Sequence, residues 1–403
     1  MKIVKNLVAI LLLLVVCSLG DDVVGQQSQG EPKFFNPYEQ PTQPVNAAAS
    51  QAVVPPTKQM EIMVGNTDRF HRSNRSERIS SRTTNLVPFQ NLPKSLNLQV
   101  RGLVMMRDNA TNQALTSNAA SETVLSTRDA DMDTSGGVEI TLGKTLEDKT
   151  QRIETVYWGL FTKGDSAVAS DAGSGLNTLL NISGLSYNGF GNPLSAVFNE
   201  SVNQTLTRSF EYHNVEWNFT SDILSEDGKQ SVRLLAGFRY FKADDRLHLN
   251  IDDVAYSVTD DNHLFGAQVG ALWAKRKGSK LTYHIGVKTG VFFNAIDHRT
   301  KILGAAGYAF IEDPAIMNWR DDFDEYSKKT DMSFLGQLEL GFDYLLTPSC
   351  QLTAGYRVMG VTGMAFATDQ IPASFAEAAE GQSVTSDGSL IMHGAYIGVD
   401  WNF

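Results

Sequence analysis

From Leu96 onward, apolar residues alternate with polar or small residues in ten separate stretches of strand length. Successive side chains of a β-strand point to opposite faces, so the pattern predicts ten strands that each carry one apolar face. In one stretch, for example, Leu340 and Phe342 lie on one face and Glu339 lies on the other. The stretches are 97–107, 137–146, 152–161, 210–219, 232–242, 264–274, 281–293, 334–345, 352–361 and 390–403.

The connections between these stretches alternate between long and short. The long ones are 109–134, 163–207, 243–262, 296–330 and 362–388, and the short ones are 147–151, 221–230, 275–280 and 347–350. Outer-membrane barrels have long extracellular loops and short periplasmic turns. We therefore predict an all-β fold, a transmembrane antiparallel up-and-down β-barrel of about ten strands. Eight to twelve strands remain open, because 247–258 could pair as a hairpin extension.

The first part of the chain differs from the rest. Lys2 and Lys5 precede the apolar run Leu7–Leu19 and small residues follow, which predicts a signal peptide over 1–25. No later run of about 18 apolar residues exists, so we expect no transmembrane helix. Residues 26–95 are rich in Gln, Pro, Ser and Asn and predict a flexible periplasmic extension before a barrel at 96–403.

Within this extension, arginines recur at a spacing that suits one face of a helix. That face would bind anionic envelope polymers, whereas the alternative is a solvated linker. The series is Arg69, Arg72, Arg75, Arg78 and Arg82.

Aromatic residues of outward parity gather at strand ends beside the short turns. Tyr and Trp favour the membrane–water interface, so this placement predicts an aromatic girdle and outer-membrane lipid as a partner. The girdle residues are Trp217, Phe219, Trp273, Tyr344 and Trp401. On the last strand, Val399, Trp401 and the terminal Phe403 resemble the C-terminal signal that the barrel-insertion machinery reads in outer-membrane proteins.

The inward-facing positions of the predicted strands carry charges of both signs in nearly equal number. The basic residues are Arg101, Arg233, Arg239, Lys288 and Arg357, and the acidic ones are Glu139, Glu154, Glu216, Glu339, Asp343 and Asp400. Charges inside a narrow barrel must be paired or hydrated. Two interpretations follow: a salt-bridge plug that holds the barrel together, or a narrow polar conduit for small solutes or ions.

The long loops are acidic, with 24 Asp and Glu against 8 Lys and Arg. Together with the net charge of −11, this argues against nucleic acid as a partner. An acidic outer face would attract cations, and divalent ions could bridge it to neighbouring surfaces. The alternative is that these charges serve solubility and keep the loops apart.

Few residues suggest metal or catalytic chemistry. Asp129, Asp131 and Asp133 have a calcium-like spacing, although Thr134 and Ile140 stand where an EF-hand needs Gly and Glu. Acids and histidines that could activate water for proteolysis lie near the predicted outer rim, at Asp260, Asp261, His263, Asp297 and His298. Paired aspartates recur throughout the chain, which favours an acidic surface. We expect no enzyme activity and no cofactor.

Two extracellular loops contain helix signals. Pro314 precedes Ala315–Tyr326, and Pro372 precedes Ala373–Glu380, which Gly381 would end. Such helices could cap the barrel or fold into its mouth.

Several strings resemble the beta-barrel porin-7 family. They are LVMMRD at 103–108, GGVEITLG at 136–143, LLAGFRY at 234–240, NHLFGAQVG at 262–270, GYRV at 355–358 and HGAYIG at 393–398. The resemblance spans about residues 96–403. It implies membrane location more firmly than transport, and it carries over no catalytic residue. The leading expectation is a porin-like or structural protein of the bacterial outer membrane that passes at most small solutes. The alternatives are a surface adhesion module that acts through the acidic loops and a rim protease.

Overall fold

A computed structural model describes residues 96–403 except 109–110, 131–133, 147–149, 174, 226–227, 313–319 and 376–382. The predicted signal peptide, the predicted extension and its arginine series lie outside the described residues. Within the described part of the chain, no helix is long and apolar enough to cross a bilayer.

Ten long antiparallel strands form a closed ring, which confirms the predicted fold class. Each barrel strand pairs with the next one in the chain, and the first strand pairs with the last. The ten strands are β1 (Leu96–Arg107), β4 (Thr134–Thr145), β5 (Gln151–Ser170), β8 (Asn203–Leu224), β9 (Gln230–Ile251), β10 (Val254–Lys277), β11 (Leu281–Gly304), β15 (Asp324–Thr347), β16 (Cys350–Met364) and β17 (Gly388–Asn402).

Short elements lie within the extracellular loops. They are β2 (Ala114–Ser117), β3 (Thr123–Ser126), β6 (Asn177–Thr178), β7 (Leu185–Ser186), α1 (Ser195–Phe198), β12 (Gly307–Tyr308), β13 (Phe310–Glu312) and β14 (Arg320–Asp322). β2, β3 and β6 form one small sheet, and β7, β13 and β14 form another.

Several barrel strands are much longer than a membrane requires. β8 and β9 have 22 residues, and β10, β11 and β15 have 24, whereas about 9–11 residues cross a bilayer. The predicted long loop 243–262 is therefore wrong, because only Asp252 and Asp253 separate β9 from β10. Asp252 has a φ of 46°, a conformation that a two-residue hairpin turn requires and that Asp tolerates.

The first predicted loop helix is also wrong where the structure describes it. Arg320–Asp322 pairs with Phe310–Glu312 as an antiparallel strand, and β15 begins at Asp324. Residues 315–319 of that helix lie outside the described residues, as do residues 376–380 of the second one.

Outward side chains form an apolar belt around the ring. Phe293 is 67% exposed, and the other exposed residues of the belt include Val104, Phe238, Phe265, Val269, Phe334 and Ile397. Soluble proteins rarely expose so much contiguous apolar surface. A closed barrel satisfies its own backbone hydrogen bonds and can present such a belt to lipid. The protein is therefore an outer-membrane β-barrel.

Inward glycines make room for large side chains in the narrow lumen. A Cβ atom on Gly341 would lie 2.5 Å from the hydroxyl of Tyr396, which projects across the lumen from β17. Gly355 on β16 flanks the same hydroxyl. Any larger residue at these positions would displace Tyr396 from the interior.

Candidate functional site

The eleven predicted lumen charges lie inside the barrel, on its periplasmic half. Nine of them line a cavity of about 1010 Å³, a volume that includes space open to solvent. These nine are Arg101, Glu139, Glu154, Arg233, Lys288, Glu339, Asp343, Arg357 and Asp400. Glu216 and Arg239 pair 3.7 Å apart and are both buried. We call the whole set the charge network.

Two arginines and two glutamates form a closed ring at the centre of this network. Arg101 Nη1 lies 3.0 Å from Glu139 Oε1 and 2.9 Å from Glu339 Oε1. Arg357 contacts the same two glutamates at 2.7 and 3.0 Å. The Arg101 guanidinium also lies 4.4 Å from the centre of the Tyr396 ring. Each charge therefore has two opposite partners, which is what a desolvated ion pair needs.

Glu216 is the centre of a second group and is 1% exposed. Lys288 Nζ donates to its Oε2 at 2.7 Å, and Asn218 and Gln268 donate to the same oxygen at 3.0 and 2.9 Å. Asn214 donates to the other oxygen at 3.2 Å. The carboxylate is thus surrounded by donors.

A third group lies toward the periplasmic turns. Arg233 Nε donates to Asp222 at 2.7 Å, and Arg152 lies 3.0 Å from Glu154. Asp400 accepts from Gln351 at 3.0 Å and from Asn97.

Sequence reasoning missed several partners in the network, although their inward parity could have identified them. They are Asn97, Arg152, Asp222, Gln268, His284, Gln351 and Tyr396. His284 joins one charge of the network to Tyr396, because its Nδ1 lies 3.2 Å from Asp343 and its Nε2 lies 2.9 Å from the Tyr396 hydroxyl.

Above the charge network, buried apolar side chains fill the lumen. We call this set the apolar layer. Trp158 lies 5.8 Å from Phe241 between ring centres, and Tyr212 stacks on Phe241 at 6.0 Å. Phe292 and Leu335 are each 1% exposed. The residues of the layer come from nine strands: β1, β5, β8, β9, β10, β11, β15, β16 and β17. It separates the charged cavity from the extracellular mouth.

The described residues of the loop between β16 and β17, 365–375 and 383–387, lie in that mouth. Asn262 Nδ2 donates to the Ala365 carbonyl at 2.8 Å, and the Ala365 amide donates back to Asn262 Oδ1 at 2.9 Å. Lys329 Nζ donates to the Val384 carbonyl at 3.1 Å. Above it, residues such as Leu115, Phe198 and Phe375 pack with the inner faces of β8–β11 in one buried apolar cluster, which we call the cap core.

The five candidate protease residues do not converge. Asp260 and His298 point inward and are 0% and 4% exposed, with Asp260 Oδ1 lying 2.8 Å from His298 Nδ1. Asp261 and Asp297 face each other across β10 and β11 on the outer surface, and His263 has the same outward parity. Burial raises the pKa of Asp260 to about 6, and burial together with Asp244 raises the pKa of Asp261 to about 7.

The raised pKa of Asp260 predicts a pH-dependent stability. Its ordinary value is 3.8, so between about pH 4 and pH 6 the folded protein retains a proton that the unfolded chain has released. Stability from this group therefore falls as pH rises through that window. We expect Asp260→Asn to raise the free energy of unfolding by about 1–3 kcal/mol at pH 8 and to give no gain at pH 4. Chemical denaturation at both pH values measures this, and an equal effect at both would contradict it.

The girdle and C-terminal residues lie on the outer surface or at the strand ends. Trp217, Phe219, Tyr344 and Trp401 are 36–49% exposed. Trp273 is partly buried and donates its Nε1 to Gln230 at 3.3 Å. Val399 pairs with Val100 and Leu352, and the Phe403 amide donates to the Leu96 carbonyl at 2.8 Å, which joins the two ends of the barrel. Recognition of this strand by insertion machinery stays a prediction.

The calcium candidate is only partly described. Asp129 Oδ2 accepts a hydrogen bond from the Ser126 hydroxyl at 2.9 Å, while Asp131 and Asp133 lie outside the described residues. Elsewhere in the described chain, no group of three or more acids, histidines or cysteines could hold a metal ion. Divalent ions at the acidic loops stay a prediction.

Comparisons with known proteins concern the fold. No family model matches the chain, so the resemblance to the beta-barrel porin-7 family is not supported. No curated protein matches either.

Among solved structures, the chain is similar to the outer membrane protease OmpT from Escherichia coli (10% identity, TM-score 0.42, covering 78% of this chain and 100% of that one). It is also similar to the translocator domain of the autotransporter NalP from Neisseria meningitidis (10% identity, TM-score 0.33, 78% and 91% covered). A further similar structure is a Pseudomonas aeruginosa FadL homologue (6% identity, TM-score 0.27, 77% and 91% covered).

Proposed function

We propose that this protein is a closed outer-membrane barrel that anchors a folded extracellular module and does not conduct solutes. The apolar layer is the observation that carries this proposal. The interior of a water-filled barrel channel is polar. Here Phe241 and Met392 are 0% exposed, and Leu335 and Phe292 are 1% exposed, at the level where the lumen would have to remain open.

The charge network supports the same proposal. Its central arginines and glutamates are satisfied by one another, with four contacts of 2.7–3.0 Å. Charges that are neutralised in this way do not present a field for passing ions, and they join β1, β4, β15 and β16 across the lumen. The network therefore serves as a salt-bridge plug, and the narrow-conduit interpretation is disfavoured.

The extracellular side carries more structure than an anchor needs. β8–β11 and β15 extend well beyond the span of a bilayer, and the cap core fixes the loops against them. Building such a module costs conformational entropy that the cap core must offset. We therefore propose that the outer surface of this module carries out the biological role, as in a protein that binds a partner at the cell surface.

Single-channel recording in a planar bilayer tests the proposal. The purified protein should insert and give no conductance steps. A variant with Phe241→Ala, Phe292→Ala, Arg101→Ala and Arg357→Ala, and with 365–387 replaced by a short Gly-Ser turn, should give steps, because the apolar layer, the centre of the charge network and the loop are all opened. Stable steps from the intact protein that match those of the variant would overturn the proposal.

A further inference from the structure

A tight loop on the extracellular module presents one aromatic ring to solvent. The loop covers residues 188–192, with the sequence Asn-Gly-Phe-Gly-Asn, and it begins two residues after β7. Phe190 at its centre is 48% exposed. The other four residues of the loop are exposed as well. We call these five residues the Phe190 loop.

The backbone of the Phe190 loop is held in an unusual conformation. Asn188 has a φ of 56°, and the two glycines of the loop have φ values of 128° and 73°. The Tyr187 amide donates to the Asn192 carbonyl at 2.9 Å. The Asn192 side chain donates to the Asn188 carbonyl at 3.0 Å. The Gly191 amide donates to Glu312 Oε1 at 2.7 Å. Left-handed backbone persists where the surrounding structure enforces it, so the loop has a defined shape.

The ring of Phe190 is supported by buried residues. It packs edge-on against Phe310 of β13, with 5.5 Å between the ring centres and 64° between the ring planes. Phe310 is 2% exposed, and the Arg320 guanidinium lies 5.2 Å from the centre of its ring. The exposed side of Phe190 is therefore a fixed platform. A ligand that stacks on it orders few additional groups, which lowers the entropic cost of binding.

The position of the loop is far from the membrane. The Tyr187 hydroxyl accepts a hydrogen bond from the Ala306 amide at 2.9 Å, just beyond the end of β11. From Phe293 in the apolar belt to Gly304 at that end, the strand advances eleven residues, about 36 Å. At a strand tilt of about 45° the end of β11 lies about 25 Å above Phe293. The polar region on each side of a bilayer is only about 5–8 Å thick, so membrane lipid does not reach the loop.

The charges beside the loop are largely balanced. Glu312 and Arg320 are cross-strand neighbours in β13 and β14, and Arg320 also lies 3.3 Å from Asp322. The whole chain carries a net charge of −11. A polyanion such as nucleic acid is therefore disfavoured as a ligand, and an uncharged one is favoured.

The surroundings of Phe190 favour a sugar over a protein. Aromatic anchors of protein interfaces lie in packed pockets whose rims exclude water. The chain neighbours of Phe190 are glycines and asparagines, which are exposed and provide no apolar rim. A sugar ring needs no such rim, because its C–H groups stack on the electron-rich face of an aromatic ring while its hydroxyls stay hydrogen-bonded at the edge. Asn188 and Asn192 provide amide groups near the ring for those hydroxyls.

We propose that the Phe190 loop binds an uncharged extracellular polysaccharide, with one sugar ring stacked on Phe190 and the Asn188 amide hydrogen-bonded to its hydroxyls. This inference rests on the proposed function, because it names the class of partner for the module that the barrel anchors.

Affinity electrophoresis of the purified full-length protein in detergent tests the proposal. The native gels contain dextran, amylose, laminarin or galactomannan, and retardation at increasing polysaccharide concentration gives the Kd. We expect at least one of these polysaccharides to bind. Phe190→Ala should raise its Kd by about tenfold or more, whereas Phe190→Trp, which keeps an aromatic face, should stay within about threefold of the unaltered protein.

Two further variants serve as controls. Leu179→Ala removes an apolar side chain that is 47% exposed on the same module, and it should leave the Kd unchanged. Gly191→Ala keeps the Phe190 ring and meets no neighbouring atom, but alanine is strained at a φ of 73°. It should therefore weaken binding several-fold. Thermal unfolding of each variant shows whether it is folded.

Equal Kd values for Phe190→Ala and Leu179→Ala would overturn the proposal, and so would the absence of retardation by all four polysaccharides. Single-channel recording on the same preparations separates this proposal from the proposed function. A silent bilayer without polysaccharide binding rejects the sugar site alone. Conductance steps together with binding that depends on Phe190 reject the closed barrel alone.

Discussion

Replacing Arg357 with alanine is expected to lower the free energy of unfolding by about 3–5 kcal/mol. Arg357 is 4% exposed and contacts Glu139 at 2.7 Å and Glu339 at 3.0 Å. Its removal leaves two buried carboxylates that share only Arg101, so one negative charge remains without compensation inside the barrel. Unfolding by guanidinium after insertion into lipid vesicles measures the loss.

Arg320→Ala is the matched control for this prediction. Arg320 also forms an ion pair, with Asp322 at 3.3 Å, but its side chain is 52% exposed. Exposed pairs contribute little, so this variant should lose less than about 1 kcal/mol. If Arg357→Ala loses no more than Arg320→Ala, the charge network does not hold the barrel together.

The strands of the barrel could be predicted because, where each strand crosses the lipid, outward apolar residues recur at every second position. The inward charges followed from the same parity, since Arg357 and Glu339 fall between outward apolar neighbours. Their pairing could not be predicted. Which arginine meets which glutamate depends on the register of strands that are distant in the chain, such as β1 and β15.

The apolar layer was missed for a physical reason. At its level, both faces of a strand are apolar, because one faces lipid and the other fills the lumen. In 238–241 the residues are Phe, Arg, Tyr and Phe, and the alternation that identifies an inward position is lost. The inward glycines opposite large side chains, such as Gly341 opposite Tyr396, are the sequence signal that indicates a filled interior.

The extended hairpin of β9 and β10 falls within the predicted loop 243–262, and it agrees with the alternative in which 247–258 pairs as a hairpin extension. Asp244 and Asp245 are adjacent acids of the kind that is common in exposed loops. In the structure both belong to a continuous strand, in which Asp244 points outward and Asp245 points inward. The alternation resumes beyond them with Leu247, Leu249 and Ile251, which pack in the cap core. The helix predicted at 315–326 rested on one proline, a local signal that the pairing of β13 with β14 outweighs.

Replacing Phe241 with alanine is expected to lower the free energy of unfolding by about 3–5 kcal/mol, as large-to-small changes in packed cores do. Phe241 is 0% exposed and contacts both Trp158 and Tyr212 in the apolar layer. Denaturant unfolding of the inserted protein measures the loss. Conductance should remain absent in this single variant, because the charge network is intact and residues 365–375 and 383–387 still lie in the mouth.

Phe238→Ala, three residues earlier on β9, is the control that distinguishes the loss of packing in the lumen from the loss of contact with lipid. Phe238 has the opposite parity and is 58% exposed on the outer belt. Its loss removes apolar surface that lipid can cover again, so the cost should be smaller than that of Phe241→Ala and should vary with the lipid. Equal losses for the two variants in every lipid would mean that the lumen at this level is not packed as a protein core, and the closed-barrel proposal would lose its main support.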